Sequence, residues 1–179
     1  MFYGKSDWSA QASYPVPGSF FDGIHGFFLQ GSCTAGNTYN IASTNTTSGA
    51  AIAVADLNKD GHTDIVIGTG NNSSTGVSQA GSILILFGPA SGWPASVTLN
   101  AAYMDGVHGV EIDGVRSGDQ TGVVLATADI NNDSYTDLII GSPGYMPNAL
   151  NHAGSVWGIW GRSATAWSNY PLTNLSTVH

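Results

Sequence analysis

Two short stretches of the chain hold the residues best suited to chemistry. "DLNKDGHTD" at 56–64 sets side-chain oxygens at loop positions 1, 3, 5 and 9 through Asp56, Asn58, Asp60 and Asp64. "DINNDSYTD" at 129–137 repeats the spacing with Asp129, Asn131, Asp133 and Asp137. Alternate side chains of a tightly turning loop point inward, so each stretch is expected to gather carboxylates around one point. A hard cation that takes about six to eight oxygen ligands needs such a set. Position 7 adds a backbone carbonyl, and a permissive residue at position 6 allows the sharp bend. The expected ligands are Asp56, Asn58, Asp60, His62 and Asp64 in the first loop. In the second they are Asp129, Asn131, Asp133, Tyr135 and Asp137. One calcium ion per loop is expected, two in all, with a structural role at the modest affinity of extracellular modules, about 10⁻⁴–10⁻³ M.

His62 and Tyr135 would contribute only through their carbonyls, so the donor set is unsuited to zinc. Magnesium prefers a tighter octahedron with several waters. The competing reading is an Asx-rich hairpin turn with no ion, because Asp and Asn favour turns anyway. Ser134 stands where the first loop has Gly61. If that position needs a positive φ, a Cβ costs on the order of 1–2 kcal/mol, so the second loop is expected to bind more weakly.

The elements that must position these loops follow from an internal repeat. Asp56 matches Asp129, Gly68 matches Gly141, "AGS" at 80–82 matches 153–155, and Gly88 matches Gly161, all offset by 73 residues. Earlier in each unit "FDGIHG" at 21–26 matches "MDGVHG" at 104–109, offset by 83. The difference falls between Gly31 and Gly49 and is expected to form a projecting loop. Each unit reads as four short strands, at 26–30, 49–55, 64–68 and 81–87, then at 109–113, 122–128, 137–141 and 154–160. "SILILFG" and "SVWGIWG" are apolar at nearly every position, which predicts strands covered on both faces. Four-stranded antiparallel sheets recurring at this period read as β-propeller blades; a solenoid is the weaker alternative. Residues 1–20 read as the last strand and linker of a preceding blade, 21–103 as the first blade, and 104–179 as the second with the start of a third. A longer propeller chain or head-to-tail copies would cover the faces that two blades leave open.

A strand, then D-x-N-x-D-G-x-x-D, then an apolar strand and Gly-x-Pro or Gly-x-Gly, resembles the FG-GAP repeat of integrin α-subunit propellers and many secreted microbial proteins. The "GAP" element is matched by Gly141-Ser142-Pro143 and Gly68-Thr69-Gly70. The "FG" element keeps only its glycine, at Ser48-Gly49 and Thr121-Gly122. The resemblance implies an all-β, calcium-bound propeller used mostly for adhesion or protein contact.

Composition narrows the function further. Net charge is −8 with four basic residues, too few for a nucleic-acid surface. Six of the twelve acidic residues lie in the two loops, so the acidity is local. The single cysteine, Cys33, rules out an intrachain disulfide. No signal peptide or membrane span is visible, and no direct membrane insertion is expected. Asn45, Asn71, Asn72, Asn132 and Asn174 begin glycan-acceptor triplets. His25 and His108 recur at one repeat position and read as turn or packing residues, with a catalytic pair as the sharper alternative. Asp22 and Asp105 read as turn formers. Trp8, Trp93 and Trp167 follow the last strand of successive units and read as inter-blade packing. Trp157 and Trp160 stand where the first unit has Leu84 and Phe87, which makes them core substitutions. Tyr39, Tyr145 and Trp167 are candidates for sugar stacking. Asp7, Glu111, Asp113, Arg116 and Asp119 differ between units and are candidate contact residues. No phosphate loop, serine elbow or Cys/His pair appears, so the chain is not expected to be an enzyme. The expected function is an extracellular or cell-surface calcium-binding module that contacts a protein or glycan. The alternatives are a subunit polymerising with further copies of itself, and a non-catalytic repeat region of a secreted hydrolase or lyase.

Overall fold

Ser82-Ile83-Leu84-Ile85-Leu86 carries no alternation of polar and apolar residues, so a strand built from it must be covered on both sides. In the computed structural model it is the middle strand of the middle sheet. The structure describes residues 21–31, 33–34, 37–38, 51–70, 77–146, 153–167 and 172–174. In chain order the first strands are β1 (Phe28–Gly31), β2 (Cys33–Thr34), β3 (Asn37–Thr38), β4 (Ala51–Ala55), β5 (Asp64–Thr69) and β6 (Ser82–Leu86). They are followed by β7 (Ser96–Leu99), β8 (Gly109–Asp113), β9 (Val124–Ala128), β10 (Asp137–Ser142) and β11 (Ser155–Ile159). A single helical turn, α1 (Ala164–Trp167), precedes β12 (Leu172–Asn174).

Antiparallel pairing joins β4 to β5, β5 to β6 and β6 to β8, and β12 adds in parallel to β8. That five-stranded sheet is flanked by two partial ones. On one side β9, β10 and β11 form an antiparallel three-stranded sheet. On the other β1 and β7 pair in parallel. Two cores result. Val66, Ile83, Ile85, Val110 and Ile112 face Leu138, Ile140, Ile159 and Trp167. On the opposite face Ile65, Ile67, Leu84 and Leu86 pack against Phe27, Val97, Leu99 and Met104. The fold is all-β, a propeller-like stack of short twisted sheets, as the repeat pattern predicts.

Three details differ from the sequence reading. The four strands of the first unit do not share a sheet: β4, β5 and β6 are completed by β8, whose sequence belongs to the second unit, while β1 pairs with β7. Hydrogen bonding therefore runs one strand out of step with the sequence repeat. The strand at 155–159 is not covered on both faces, since Val156 is 73% exposed and Trp160 just beyond it 50%. Among the described residues no sheet lies over that side, which leaves Trp160 outside the core although Trp157 packs against it. Finally, β7 and β12 were not anticipated; Ser96-Val97-Thr98-Leu99 is too short for its alternation to stand out. Within the expected projecting loop, β2 and β3 pair as a small antiparallel ladder. The leading strand within 1–20, with Asp7, Trp8, Tyr39, Asn45, Asn71 and Asn72, lies outside the described residues.

One of the closest backbone approaches is made by a glycine pair. A Cβ on Gly68 would collide with the carbonyl of Gly122, which itself has φ +88°. These are glycines of the degenerate "GAP" and "FG" elements, and they let the second unit lie directly on the first.

Candidate metal centre

Each acidic loop joins two strands of one hairpin, β4 to β5 and β9 to β10. Tight closure needs backbone in the left-handed region, and the loops supply it at Lys59 (φ +58°) and Gly61 (+86°), then at Asn132 (+61°) and Ser134 (+69°). Successive N–H groups are thereby turned toward the loop carboxylates. Asp56 accepts from the N–H of Asp60 at 3.1 Å and of Gly61 at 2.9 Å. Asn58 Oδ1 accepts from the Asp60 N–H at 3.0 Å, and its Nδ2 donates to Asp60 Oδ2 at 2.9 Å. Asp60 Oδ1 takes the His62 N–H at 2.8 Å. Asp64, fully buried at the start of β5, accepts from Leu57 N–H at 2.8 Å and Gly88 N–H at 2.9 Å. It thereby ties the loop entrance to the end of β6.

The second loop repeats every one of these bonds. Asp129 accepts from Asp133 at 3.1 Å and Ser134 at 2.9 Å. Asn131 bridges to Asp133 at 3.1 and 2.9 Å, and Asp133 accepts the Tyr135 N–H at 2.8 Å. Buried Asp137 accepts from Ile130 at 2.8 Å and Gly161 at 2.9 Å. Ser134 therefore adopts the glycine-favouring conformation despite its Cβ.

Electrostatically the first loop is under-compensated. Burial pushes the Asp64 carboxyl up to about 6 against the N–H bonds of Gly88 and Leu57, and the charges of Asp60 and Asp56 add to the push. A cation in the loop would act in the opposite direction. In this conformation, however, no group of three or more His, Cys, Asp or Glu side chains among the described residues stands close enough to hold a metal ion. The carboxylates are turned onto N–H groups, an Asx-type hairpin arrangement. By donor chemistry the loops still suit a hard cation, since every side-chain and carbonyl donor proposed for it is an oxygen.

The recurring histidines belong to a turn. Asp22 Oδ1 accepts the N–H of Ile24 at 2.9 Å and of His25 at 2.7 Å, and His25 Nδ1 meets Asp22 Oδ2 at 2.7 Å. Asp105 binds Val107, His108 and the His108 ring at 2.8, 2.8 and 2.7 Å. Backbone and side-chain bonds from His25 hold the Asp22 carboxyl well below its usual range. Burial works to raise Asp105, but the His108 and Val107 bonds outweigh it and set that carboxyl at about 2.

Of the tryptophans, Trp93 stacks on Phe27 at 5.0 Å and Trp167 packs on Phe87 at 6.0 Å. Trp167 is 2% exposed, which removes it as a sugar platform. Tyr145 lies edge-on to Trp157 at 5.8 Å, beneath Arg116 at 5.2 Å. Glu111, Asp113 and Asp119 are buried, so the expectation that they contact a partner is overturned: their strands and turns lie between sheets. Sequence reasoning missed the link between the loops, where Lys59 Nζ sits 4.8 Å from the Tyr135 ring centroid. It also missed the Leu57 carbonyl, which accepts from Arg162 N–H at 3.2 Å and Trp167 Nε1 at 3.3 Å. Contacts made across two sheets leave no local pattern in a sequence.

A repeat protein of propeller-like sheets, each with an Asp-rich hairpin loop, is the class these features define. The FG-GAP repeat model matches residues 48–86 and 121–159, and the chain carries two FG-GAP repeats. Over 128 residues, 72% of the chain, it is 33% identical to phosphatidylinositol-glycan-specific phospholipase D of Rattus norvegicus. To the Homo sapiens protein of that name it is 30% identical over the same share. To that of Dictyostelium discoideum it is 38% identical over 51% of the chain. The chain spans about 15% of the length of the mammalian relatives. Among the described residues no helix is long and apolar enough to cross a membrane.

Proposed function

We propose that this chain is a non-catalytic, calcium-stabilised interaction module, whose sheets form a rigid scaffold and whose loops contact a protein or glycan. The observation that carries the reading is the recurrence of one loop geometry in both repeats, with a buried Asp at the end of each set. Asp56, Asn58, Asp60, Asp64 and the His62 carbonyl would hold one ion. Asp129, Asn131, Asp133, Asp137 and the Tyr135 carbonyl would hold the other. Bound calcium would supply positive charge to the loop carboxylates, and the chain's own contribution is to fasten β4 to β5 and β9 to β10 around it. The reading carries an extracellular or cell-surface location, where calcium is abundant enough for affinities of about 10⁻⁴–10⁻³ M.

Similarity to the phospholipase D proteins favours a second reading: the module is the non-catalytic repeat region of a hydrolase acting on phosphatidylinositol-glycan. Isothermal titration calorimetry with calcium chloride tests the first. Two binding events are expected, one removed by Asp60→Ala and the other by Asp133→Ala; absence of heat at millimolar calcium removes the reading. The isolated chain is expected to release no product from a phosphatidylinositol-glycan substrate, and turnover would overturn the non-catalytic assignment.

A further inference from the structure

The two acidic loops are tied to each other through buried backbone. Leu57, the second residue of the first loop, is buried, and its N–H donates to Asp64 Oδ2 at 2.8 Å. Its carbonyl accepts from the Arg162 N–H at 3.2 Å and from Trp167 Nε1 at 3.3 Å. One residue back, the Gly161 N–H donates to Asp137 Oδ1 of the second loop at 2.9 Å. Two adjacent N–H groups are thus divided between the loops, and the path runs from buried Asp64 to buried Asp137. Gly161 lies hard against the second loop: a Cβ there would run into the Thr136 carbonyl and the Tyr135 side chain. A second link lies at the surface, where Lys59 Nζ sits 4.8 Å from the Tyr135 ring centroid.

These links belong to this pair of loops and not to the repeat as such. Gly88 donates to Asp64 as Gly161 does to Asp137. Pro89, however, is the counterpart of Arg162 and has no N–H to give. Lys59 likewise stands where the second loop has Asn132, and Tyr135 where the first has His62. Cover follows the links: Leu57 is fully buried, whereas its counterpart Ile130 is 52% exposed.

We propose that the two loops act as one coupled unit, in which a divalent cation in either loop raises the affinity of the other. The inference rests on the calcium reading above and adds an interaction between its two sites. An ion that orders the first loop fixes Leu57 and, through it, the Gly161–Arg162 backbone that Asp137 holds. The second loop then has less left to order, so the second ion binds more tightly. Reciprocity requires the same factor in the other direction. Charge works against this, because a first cation cancels negative potential that would draw the second, but between largely exposed loops salt screens that effect. Arg162 and Lys59 are positioning residues here, since neither offers an atom to the ion.

Calorimetric titration with calcium chloride measures the coupling whichever loop fills first. The product of the parent chain's two association constants is compared with the product of those of Asp60→Ala and Asp133→Ala, each of which keeps one loop. The parent product is expected to be larger by about fivefold or more. Arg162→Pro, carried in all three backgrounds, removes the N–H that the Leu57 carbonyl accepts, and Pro89 shows that the other unit takes proline at this position. It is expected to lower the excess, and Lys59→Met added to it to abolish the excess. Arg162→Ala keeps the N–H and is expected to keep the excess. If Arg162→Pro loses its strand circular dichroism, Trp167→Phe takes its place, with the same fall expected. In Asp133→Ala, calcium is also expected to shift the amide resonance of Gly161, whose acceptor Asp137 belongs to the emptied loop. Two binding events whose products agree, or a parent product below the other, overturn the coupling and leave the calcium reading standing. An excess undiminished by these variants, or a Gly161 resonance that does not move, overturns the path. Absence of heat in every background removes the calcium reading and the coupling together.

Discussion

Ser134 and Gly61 occupy the same place in two loops whose hydrogen bonds agree to within a tenth of an ångström, yet one carries a Cβ at φ +69°. The left-handed conformation costs a non-glycine residue about 1–2 kcal/mol, of which glycine's own backbone entropy would return about 0.5–1. Ser134→Gly should therefore stabilise the chain by about 0.5–1 kcal/mol in urea denaturation, and should tighten the calcium binding proposed for the second loop. Asp105 offers a test of a different kind. Its folded pKa, about 2, lies below the ordinary value of 3.8, so its carboxylate stabilises the fold above the unfolded pKa. That contribution falls away as pH drops from about 4 through about 2. Amide resonances of Val107 and His108 are expected to titrate with a midpoint near 2 and to lose that transition in Asp105→Asn; a midpoint near 4 would mean the turn contributes nothing.

Between elements, stability rests on how closely the second sheet lies on the first. At Gly68 an added methyl would meet the carbonyl of Gly122, a residue in the turn just ahead of β9 whose N–H is held by the Gly141 carbonyl. Gly68→Ala is expected to cost about 1–3 kcal/mol, measured by chemical denaturation with an unchanged m-value. Trp167 anchors the same junction from the other side through its Nε1 bond to the Leu57 carbonyl. Trp167→Phe keeps the ring against Phe87 and removes that bond, a loss of about 0.5–1.5 kcal/mol. Strands at 64–69 and 82–86 are readable because each centres on an apolar run closed by turn residues, and 109–113 because the repeat sets it against 26–30. β7 and β12 were not, because three or four residues of mixed polarity become strands only when a neighbour supplies the ladder.

For the whole molecule, calcium would act on global stability, because each loop ties together two strands of a hairpin that also packs on a neighbouring sheet. At ten times Kd each site would add about 1.4 kcal/mol, so two sites would raise Tm by roughly 5–10 °C relative to chelator. Differential scanning calorimetry with calcium and with EDTA measures this, and coincident curves would restrict the loops to a hairpin role. Among the described residues, the outer face of the β9–β10–β11 sheet carries Val124, Val156 and Trp160 exposed, whereas Ile83 and Phe87 on the counterpart face of the middle sheet are buried.

Sequence alone determined the all-β class, the repeat and both acidic loops, because each is encoded over a few residues: turn chemistry, apolar runs and a fixed spacing of oxygens. The tertiary structure decided which strands share a sheet, since β8 joins β6 across the repeat boundary through bonds between residues distant along the chain. It decided that Glu111, Asp113 and Asp119 lie inside and that Trp160 lies outside. Burial is a property of what covers a residue, and the covering sheet is not written in the strand it covers.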